Sequence, residues 1–260
     1  MKLSIIIVSY NTKNLTLACI QSIYKFQPNF SFEIIVVDNG SVDGSVEALQ
    51  KLKKKIVFIK NTKNLGFSKA NNVGIKKAQG EYVLLLNSDT EFTTPILDEL
   101  VQFAEKHPNA GVVAPRLLNP DKTTQASLFR LPSLTRAIQQ YWFGVPHVLD
   151  KYALTTGDYV EVESVVGAAF LITPEALKKV GLLNEKYFMY FEDLDYCRRV
   201  LKNKLKIYYL PKLTLVHHHG ASGKSGVNAL LIDSSKKYFG SFYYYLYTFV
   251  LWSGQKLHHI

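Results

Sequence analysis

Three short runs of this 260-residue sequence hold side chains that could move protons or bind cations. FEDLDYC (Phe191–Cys197) packs Glu192, Asp193 and Asp195 into four consecutive positions. On a helix Glu192 and Asp195 share a face, with Arg199 four residues beyond Asp195, the pattern of a salt-bridged surface. Asp193 is turned about 100° away from Glu192. It is flanked by Tyr190, Phe191 and Leu194, and a partly apolar pocket there would raise its pKa toward general-base duty. LLLNSDT (Leu84–Thr90) ends an apolar run with Asp89. A divalent ion bridging a diphosphate needs such a hard oxygen on a rigid element. One carboxylate supplies only part of that site, and a turn aspartate is the plainer alternative. LTLVHHHGAS (Leu213–Ser222) sets three histidines at a strand end. Strand alternation puts His217 and His219 on one face and His218 on the other. Neutral imidazoles there suit a metal or a phosphate, against a plainer mixture of core and surface histidines.

Two further runs are polar loops. VVDNGSVDGS (Val36–Ser45) places Asp38 at a strand end, where its carboxylate could accept from a base or ribose, or merely cap the next helix. NLGFSKANNVGI (Asn64–Ile75) joins an Asn- and Gly-containing loop to a helix start, where backbone amides suit a phosphate or ribose. Ser68 is the expected cap in the plainer alternative. Asn71 and Asn72 are poor helix formers within that stretch, which favours function.

The elements that must position these groups alternate. Strand-like runs occur at Leu3–Ser9, Phe32–Asp38, Ile56–Lys60, Tyr82–Asn87 and Val112–Arg116. Helical spacing separates them over about 14–26, 46–52, 68–78 and 95–106. The strand runs are almost continuously apolar, as expected when helices cover both faces of a mostly parallel, doubly wound α/β sheet. Ligands of such sheets gather at the carboxyl ends of the strands. Those ends carry Ser9-Tyr10-Asn11, Asp38-Asn39-Gly40-Ser41 and Asn87-Ser88-Asp89-Thr90. Topology alone therefore predicts one polar edge. From Leu118 to Tyr159 the periodicity is weak, consistent with a mobile or acceptor-facing region. Val165–Thr173 reads as one strand with a close-approach Gly167, and 191–201 as a helix. KIYYL and LTLVH read as two strands. Ser241–Trp252 is aromatic, with Lys236 and Lys237 before it and Lys256 after it. It reads equally as an interfacial anchor or as a terminal helix packed on the domain.

Composition narrows the classes. With 47% hydrophobic residues, 16 Tyr and 15 Phe, the chain is no disordered segment. Two cysteines, Cys19 and Cys197, make no disulfide scaffold, and a reduced, cytoplasmic setting is expected. The opening apolar run is too short for a signal-peptide core. The excess of 31 basic over 21 acidic residues points to an anionic partner. The lysines are scattered and no nucleic-acid motif is present, so nucleic acid is not expected. No GxGxxG follows the first strand, which removes the main support for a dinucleotide dehydrogenase. Gly220–Ser225 partly matches a phosphate loop, but His218 stands where such a loop needs glycine.

SIIIVSYNT, VVDNGSVDGS, NLGFSKANN, LLLNSDT, GAAFLITPEAL, FEDLDYC and HHHGAS occur in one order over about 3–222. In this the sequence resembles the family 2 glycosyltransferases of GT-A fold, in particular their rhamnosyltransferase-like branch. The resemblance implies a Rossmann-like α/β fold and inverting transfer from a nucleotide-diphosphate sugar. It implies that Ser9, Tyr10 and Asp38, with Asn11, hold nucleobase and ribose, and that Asn64, Gly66 and Asn71 line the donor. Asn87, Ser88 and Asp89 correspond to the family's DxD metal motif with its first acid missing. By the same resemblance Asp193 is the catalytic base, and His217 lies near the metal and diphosphate; the adjacent His218 and His219 leave that register open. The cofactor implied is Mg2+ or Mn2+.

The expected domain is 1–226, divided into a nucleotide-sugar half (1–117) and an acceptor half (118–226), followed by a basic-aromatic tail (227–260). The expected reaction moves a sugar, rhamnose among the candidates, from a dTDP- or UDP-linked donor to a glycan or polyprenyl-linked acceptor in cell-surface polysaccharide synthesis. The basic charge and the tail suggest peripheral contact with an anionic membrane, on its cytoplasmic face. The alternative is a catalytically silent nucleotide-sugar-binding module of an assembly complex.

Overall fold

A computed structural model describes residues 1–218 and 227–258. In chain order the elements are β1 Leu3–Ser9, α1 Lys13–Lys25, β2 Phe32–Asp38, α2 Ser45–Gln50, β3 Val57–Lys60, α3 Phe67–Ile75, β4 Tyr82–Asn87, β5 Thr90–Glu91, α4 Leu97–Lys106 and β6 Ala110–Leu118. They continue with β7 Leu128–Phe129, α5 Leu134–Tyr141, β8 Val160–Val162, β9 Ser164–Val165, β10 Ala169–Ile172, α6 Pro174–Lys179, α7 Glu192–Lys202, β11 Lys206–His217, α8 Val227–Phe239 and α9 Ser241–His258.

The central sheet runs β3-β2-β1-β4-β10-β6-β11-β5, with β8 added against β11. The first four strands are parallel, and so are β6 and β11; β10 lies antiparallel between β4 and β6. Both faces are covered. Ile5 and Ile7 of β1 pack with Cys19 and Ile23 of α1, Leu49 of α2 and Leu100 of α4. Ile6, on the opposite face as strand alternation requires, packs with Ala70 of α3, Ala176 of α6 and Val200 of α7. This is the expected mixed α/β fold with a mostly parallel sheet.

Three local readings are corrected. The Val165–Thr173 run is two strands separated by a turn at Gly167, because that turn passes beside Asp193. The KIYYL and LTLVH runs form one strand; Pro211 costs only a register shift between Leu210 and Thr214, a bulge that absorbs the missing donor. The 118–159 stretch carries β7 and α5.

The last two helices pack on the domain. Tyr247 and Val250 of α9 are buried against Ala137 of α5, and Tyr238 of α8 against Leu194 of α7. The outer side of α9 exposes Phe242, Tyr245, Phe249 and Trp252. No helix among the described residues is long and apolar enough to cross a membrane.

Candidate active site

The strand ends meet at one edge. β10 runs beside β4 with Ala169 opposite Leu86, so the Gly167 turn sits next to the Asn87–Asp89 corner. The Asn87 amide donates to the Ala168 carbonyl at 2.9 Å. One residue earlier, the Gly167 amide donates to Asp193 Oδ2 at 3.1 Å. Two adjacent residues of one turn thus tie the Asp193 carboxylate to the strand end that precedes Asp89.

Asp193 sits in the first turn of α7, and its Oδ1 accepts from the Leu194 amide at 2.7 Å. The entry to this helix is unusual: Tyr190 and Phe191 both adopt left-handed backbone angles, φ 69° and 67°, a conformation that bulky residues rarely take. Burial pushes the Asp193 carboxyl above the ordinary range, opposed by the two amides and the positive charge of Lys151. Burial and the Asp193 charge push Glu192 up to about 8, and its Oε2 is buried without a hydrogen-bond partner. Asp195 does not join them. It turns inward to Arg198 and Arg199, each at 2.9 Å, and accepts from the Tyr187 hydroxyl; this ion pair is buried on the acid's side rather than a solvated surface.

At the β4 corner Asp89 Oδ1 lies 3.3 Å from His217 Nε2, and both side chains are nearly buried. His217 Nδ1 lies 2.7 Å from Gln125 Oε1, an oxygen that only accepts. In the tautomer that carries its proton on Nδ1, Nε2 turns its lone pair toward the Asp89 carboxylate. In that tautomer the two side chains could together hold a divalent cation. Among the described residues no third His, Cys, Asp or Glu completes a cluster. Asn87 Nδ2 stands 3.4 Å from the same Nε2, and its Oδ1 is buried unpaired. His218 turns instead to Glu91, 3.2 Å away. His219 and the Gly220–Ser225 run lie outside the described residues.

The nucleotide side is more constrained than its spacing suggests. Asp38 Oδ1 accepts from the Gly40 and Ser41 amides, while Oδ2 is buried without a partner. Tyr10, which follows the β1 residue Ser9 that pairs with Asp38, is 42% exposed. Asn11 is exposed and holds the next loop through Val42 and Ser41. Ser9 does not line the edge: its hydroxyl is buried in a network with Thr12 and Thr16, and Ser88 joins through Thr12. Both hydroxyls thus meet at Thr12, which joins the ends of β1 and β4. Asn64 accepts from Asn39 and from the Gly66 amide. Gly66 has φ 83° and is the cap residue of α3. A Cβ there would fall 2.5 Å from the Phe188 carbonyl oxygen. Ser68 is not the cap, and its hydroxyl is unpaired. Asn71 is buried and donates back to the Phe67 carbonyl. Asn72 clamps the Leu183 backbone through both amide atoms. These two asparagines hold backbone in place, which accounts for poor helix formers in α3.

Sequence reasoning missed three groups. Asn39 links Asn61, Asn64 and the Leu65 amide; its place just after a strand-end aspartate could have found it. Gln125 orients His217 across 92 residues, and Lys151 acts on Asp193. Neither carries a local sequence signal.

Comparisons with known proteins bear on the fold and the family. The chain is 28% identical over 207 residues to the N-acetylglucosaminyl-diphospho-decaprenol L-rhamnosyltransferase of Mycobacterium tuberculosis, covering 73% of this chain and 67% of that protein. It is 28% identical over 228 residues to the low-salt glycan biosynthesis hexosyltransferase Agl10 of Haloferax volcanii, covering 83% and 67%. Among solved structures, GalNAc-T7 with UDP, GalNAc and Mn2+ superposes with a TM-score of 0.70 at 17% identity, covering 86% of this chain and 44% of that one. Mannosyltransferase PcManGT from Pyrobaculum calidifontis, in complex with GDP-Man and Mn2+, superposes at 0.63 with 17% identity, covering 92% and 62%. The fold is therefore GT-A. The family model for glycosyl transferase family 2 matches residues 4–165. A sheet edge that gathers Asp38, Asp89 and Asp193, on a sequence matched by that model over most of its length, belongs to a member of glycosyl transferase family 2.

Proposed function

We propose that this chain is an inverting glycosyltransferase of cell-surface glycan synthesis. It moves a hexose or deoxyhexose, rhamnose first among them, from a dTDP- or UDP-linked donor to a hydroxyl of a lipid-diphosphate-linked or glycan acceptor. The observation that carries this reading is the turn at Gly167 and Ala168, which ties Asp193 to the same strand end as Asp89 and His217.

Asp38 offers its unpaired oxygen to a donor group of base or ribose, and the Asn39–Asn64–Gly66 knot shapes the wall beside it. Asp89 and His217 would hold Mg2+ or Mn2+; such an ion, when bound, neutralises charge developing on a departing diphosphate. Asp193 accepts the proton of the acceptor hydroxyl as that oxygen bonds to the anomeric carbon from the face opposite the diphosphate. The carbon–oxygen bond to the diphosphate breaks, and the electron pair leaves with it. Burial makes Asp193 a better proton acceptor than a solvated carboxylate. Work at the inner membrane face suits the basic charge and the exposed aromatic side of α9.

A thermal-shift screen of dTDP- and UDP-sugars with Mg2+ or Mn2+ tests donor recognition, since a bound donor stabilises the folded state. Product analysis with the best donor and N-acetylglucosaminyl diphosphate esters tests transfer. A metal-dependent stabilisation followed by a β-configured product from an α-configured donor, or the reverse, is expected. Retained configuration, or no transfer with any stabilising donor, sinks the reading.

A further inference from the structure

An apolar cavity beside α7 takes no part in the chemistry above. It encloses about 300 Å3 and is lined by Phe191 and Leu194 at the start of α7, Leu231 and Phe239 of α8, and Tyr247 and Leu251 of α9. Phe191 and Leu194 bracket Glu192 and Asp193 in the chain, so one end of the cavity is the first turn of the helix that carries the proposed base. Leu231 and Ile232, at 43% and 46% exposure, open it to solvent. Its two small hydroxyls make no demand on an occupant, because Ser235 and Thr248 each donate to a carbonyl of their own helix.

Among the described residues of the lining, Arg130 is the one that carries a charge. Its guanidinium stacks 5.0 Å from the Tyr152 ring and donates to the His147 carbonyl. Lys151 lies 5.1 Å over the ring of Phe129, which also lines the cavity, and its charge reaches Asp193. An apolar chamber therefore has Arg130 in its wall, Lys151 over one of its rings, and the first turn of the Asp193 helix at one end.

We propose that this cavity holds the hydrocarbon chain of a lipid-diphosphate acceptor, with Arg130 and Lys151 at the diphosphate and Asp193 at the sugar hydroxyl. The assignment rests on the transferase reading above and adds to it the class of acceptor. A peptide strand would leave backbone polar groups unsatisfied against this lining. A helix, about 10 Å across, exceeds the space. A bilayer cannot enter a concavity, whereas a flexible hydrocarbon can.

The test compares N-acetylglucosaminyl diphosphate carrying a farnesyl group with the same compound carrying a methyl group, using the full chain. The farnesyl acceptor should show a KM at least about tenfold lower, the worth of roughly two buried methylenes. Ser235→Trp and Thr248→Trp fill the cavity from its half-exposed side. Each should erase the preference while leaving kcat/KM for the methyl acceptor within about twofold. Titration calorimetry with farnesyl diphosphate gives a readout independent of turnover: wild type binds, and both variants bind at least about tenfold more weakly at unchanged Tm. Equal KM values for the two acceptors in wild type overturn the inference. So does farnesyl diphosphate binding that is absent, or that ignores both substitutions. Loss of sedimentation with phosphatidylglycerol vesicles in the variants, with farnesyl diphosphate binding intact, would make this a membrane-docking face and overturn it as well. Binding that is lost in both variants, with transfer to neither acceptor, supports the cavity assignment and removes the transferase reading instead.

Discussion

The polar edge at the ends of β1, β2 and β4 and the annex of α5, α8 and α9 flank the same helix, α7, yet they are held together differently. At the edge, buried polar atoms outnumber good solutions for them. Asp38 Oδ2, Asn87 Oδ1 and Glu192 Oε2 have no hydrogen-bond partner, and burial shifts both Glu192 and Asp193 upward. The annex is held by rings: Phe239 stacks on Tyr247 at 4.5 Å and on Tyr243 at 5.6 Å. Its main-chain ties, such as Trp142 Nε1 to the Val250 carbonyl at 3.0 Å, are made. An edge that gives up stability for unpaired oxygens is suited to bind charged ligands; a stacked annex is suited to fix a shape.

Substitutions can break or sharpen this contrast. The largest effect is expected at the edge. Asp193→Asn should lower the transfer rate by about 10²–10⁴-fold while melting within a few degrees of wild type; near-normal turnover would remove Asp193 from its role. Asp89→Ala should weaken Mn2+-dependent binding of UDP or dTDP by at least about tenfold, read by titration calorimetry with and without the metal. Unchanged affinity would detach Asp89 from the cation. Gly66→Ala attacks the backbone rather than the chemistry. Its left-handed angle and the nearby Phe188 carbonyl should cost about 1–3 kcal/mol in denaturant titration. Full stability would mean that the Phe188 turn can move aside.

Glu192→Gln should do the opposite and stabilise. The folded carboxyl ionises at about 8 against an ordinary 4.5. Between those values the unfolded chain has lost a proton that the folded chain keeps, so wild-type stability falls as pH rises across that window. The variant should melt higher at pH 8, and the gap should close by pH 4. A gap independent of pH would show that Glu192 is ionised in the fold. The smallest effect is expected on the annex exterior: Phe242→Ser, at a residue 84% exposed, should change stability by less than about 0.5 kcal/mol. A larger loss would mean that this ring is covered in solution.

The same contrast governs what the sequence disclosed. The strands β1, β2 and β4 end where their apolar runs end, because burial on both faces leaves no room for a polar residue before the edge. Three of the polar clusters were thereby legible, and with them Asp38 and Asp89. Strand direction was not, since an apolar run is the same read either way; β10 enters antiparallel without any mark in AFLI. The runs KIYYL and LTLVH read as two strands because nothing local shows that a bulge carries one strand past Pro211. The spacing of Ser9 and Ser88 gave no sign of the buried hydroxyl network that joins them through Thr12. In α9, aromatic residues occupy both the packed and the exposed sides, so no amphipathic period separated docking on the domain from docking on a membrane. Gln125 lies in an aperiodic stretch, and only the folded chain brings it to His217.

The Phe67 amide donates to the Phe188 carbonyl at 2.6 Å, just where Gly66 leaves no space for a side chain. One peptide-to-peptide contact thus gauges the separation between the proposed donor shelf and the turn that leads into the proposed base. Because an error of about 1 Å in such a separation can cost on the order of 10²-fold in rate, a methyl group at position 66 would be felt as a mistuned reaction coordinate as well as a weaker fold.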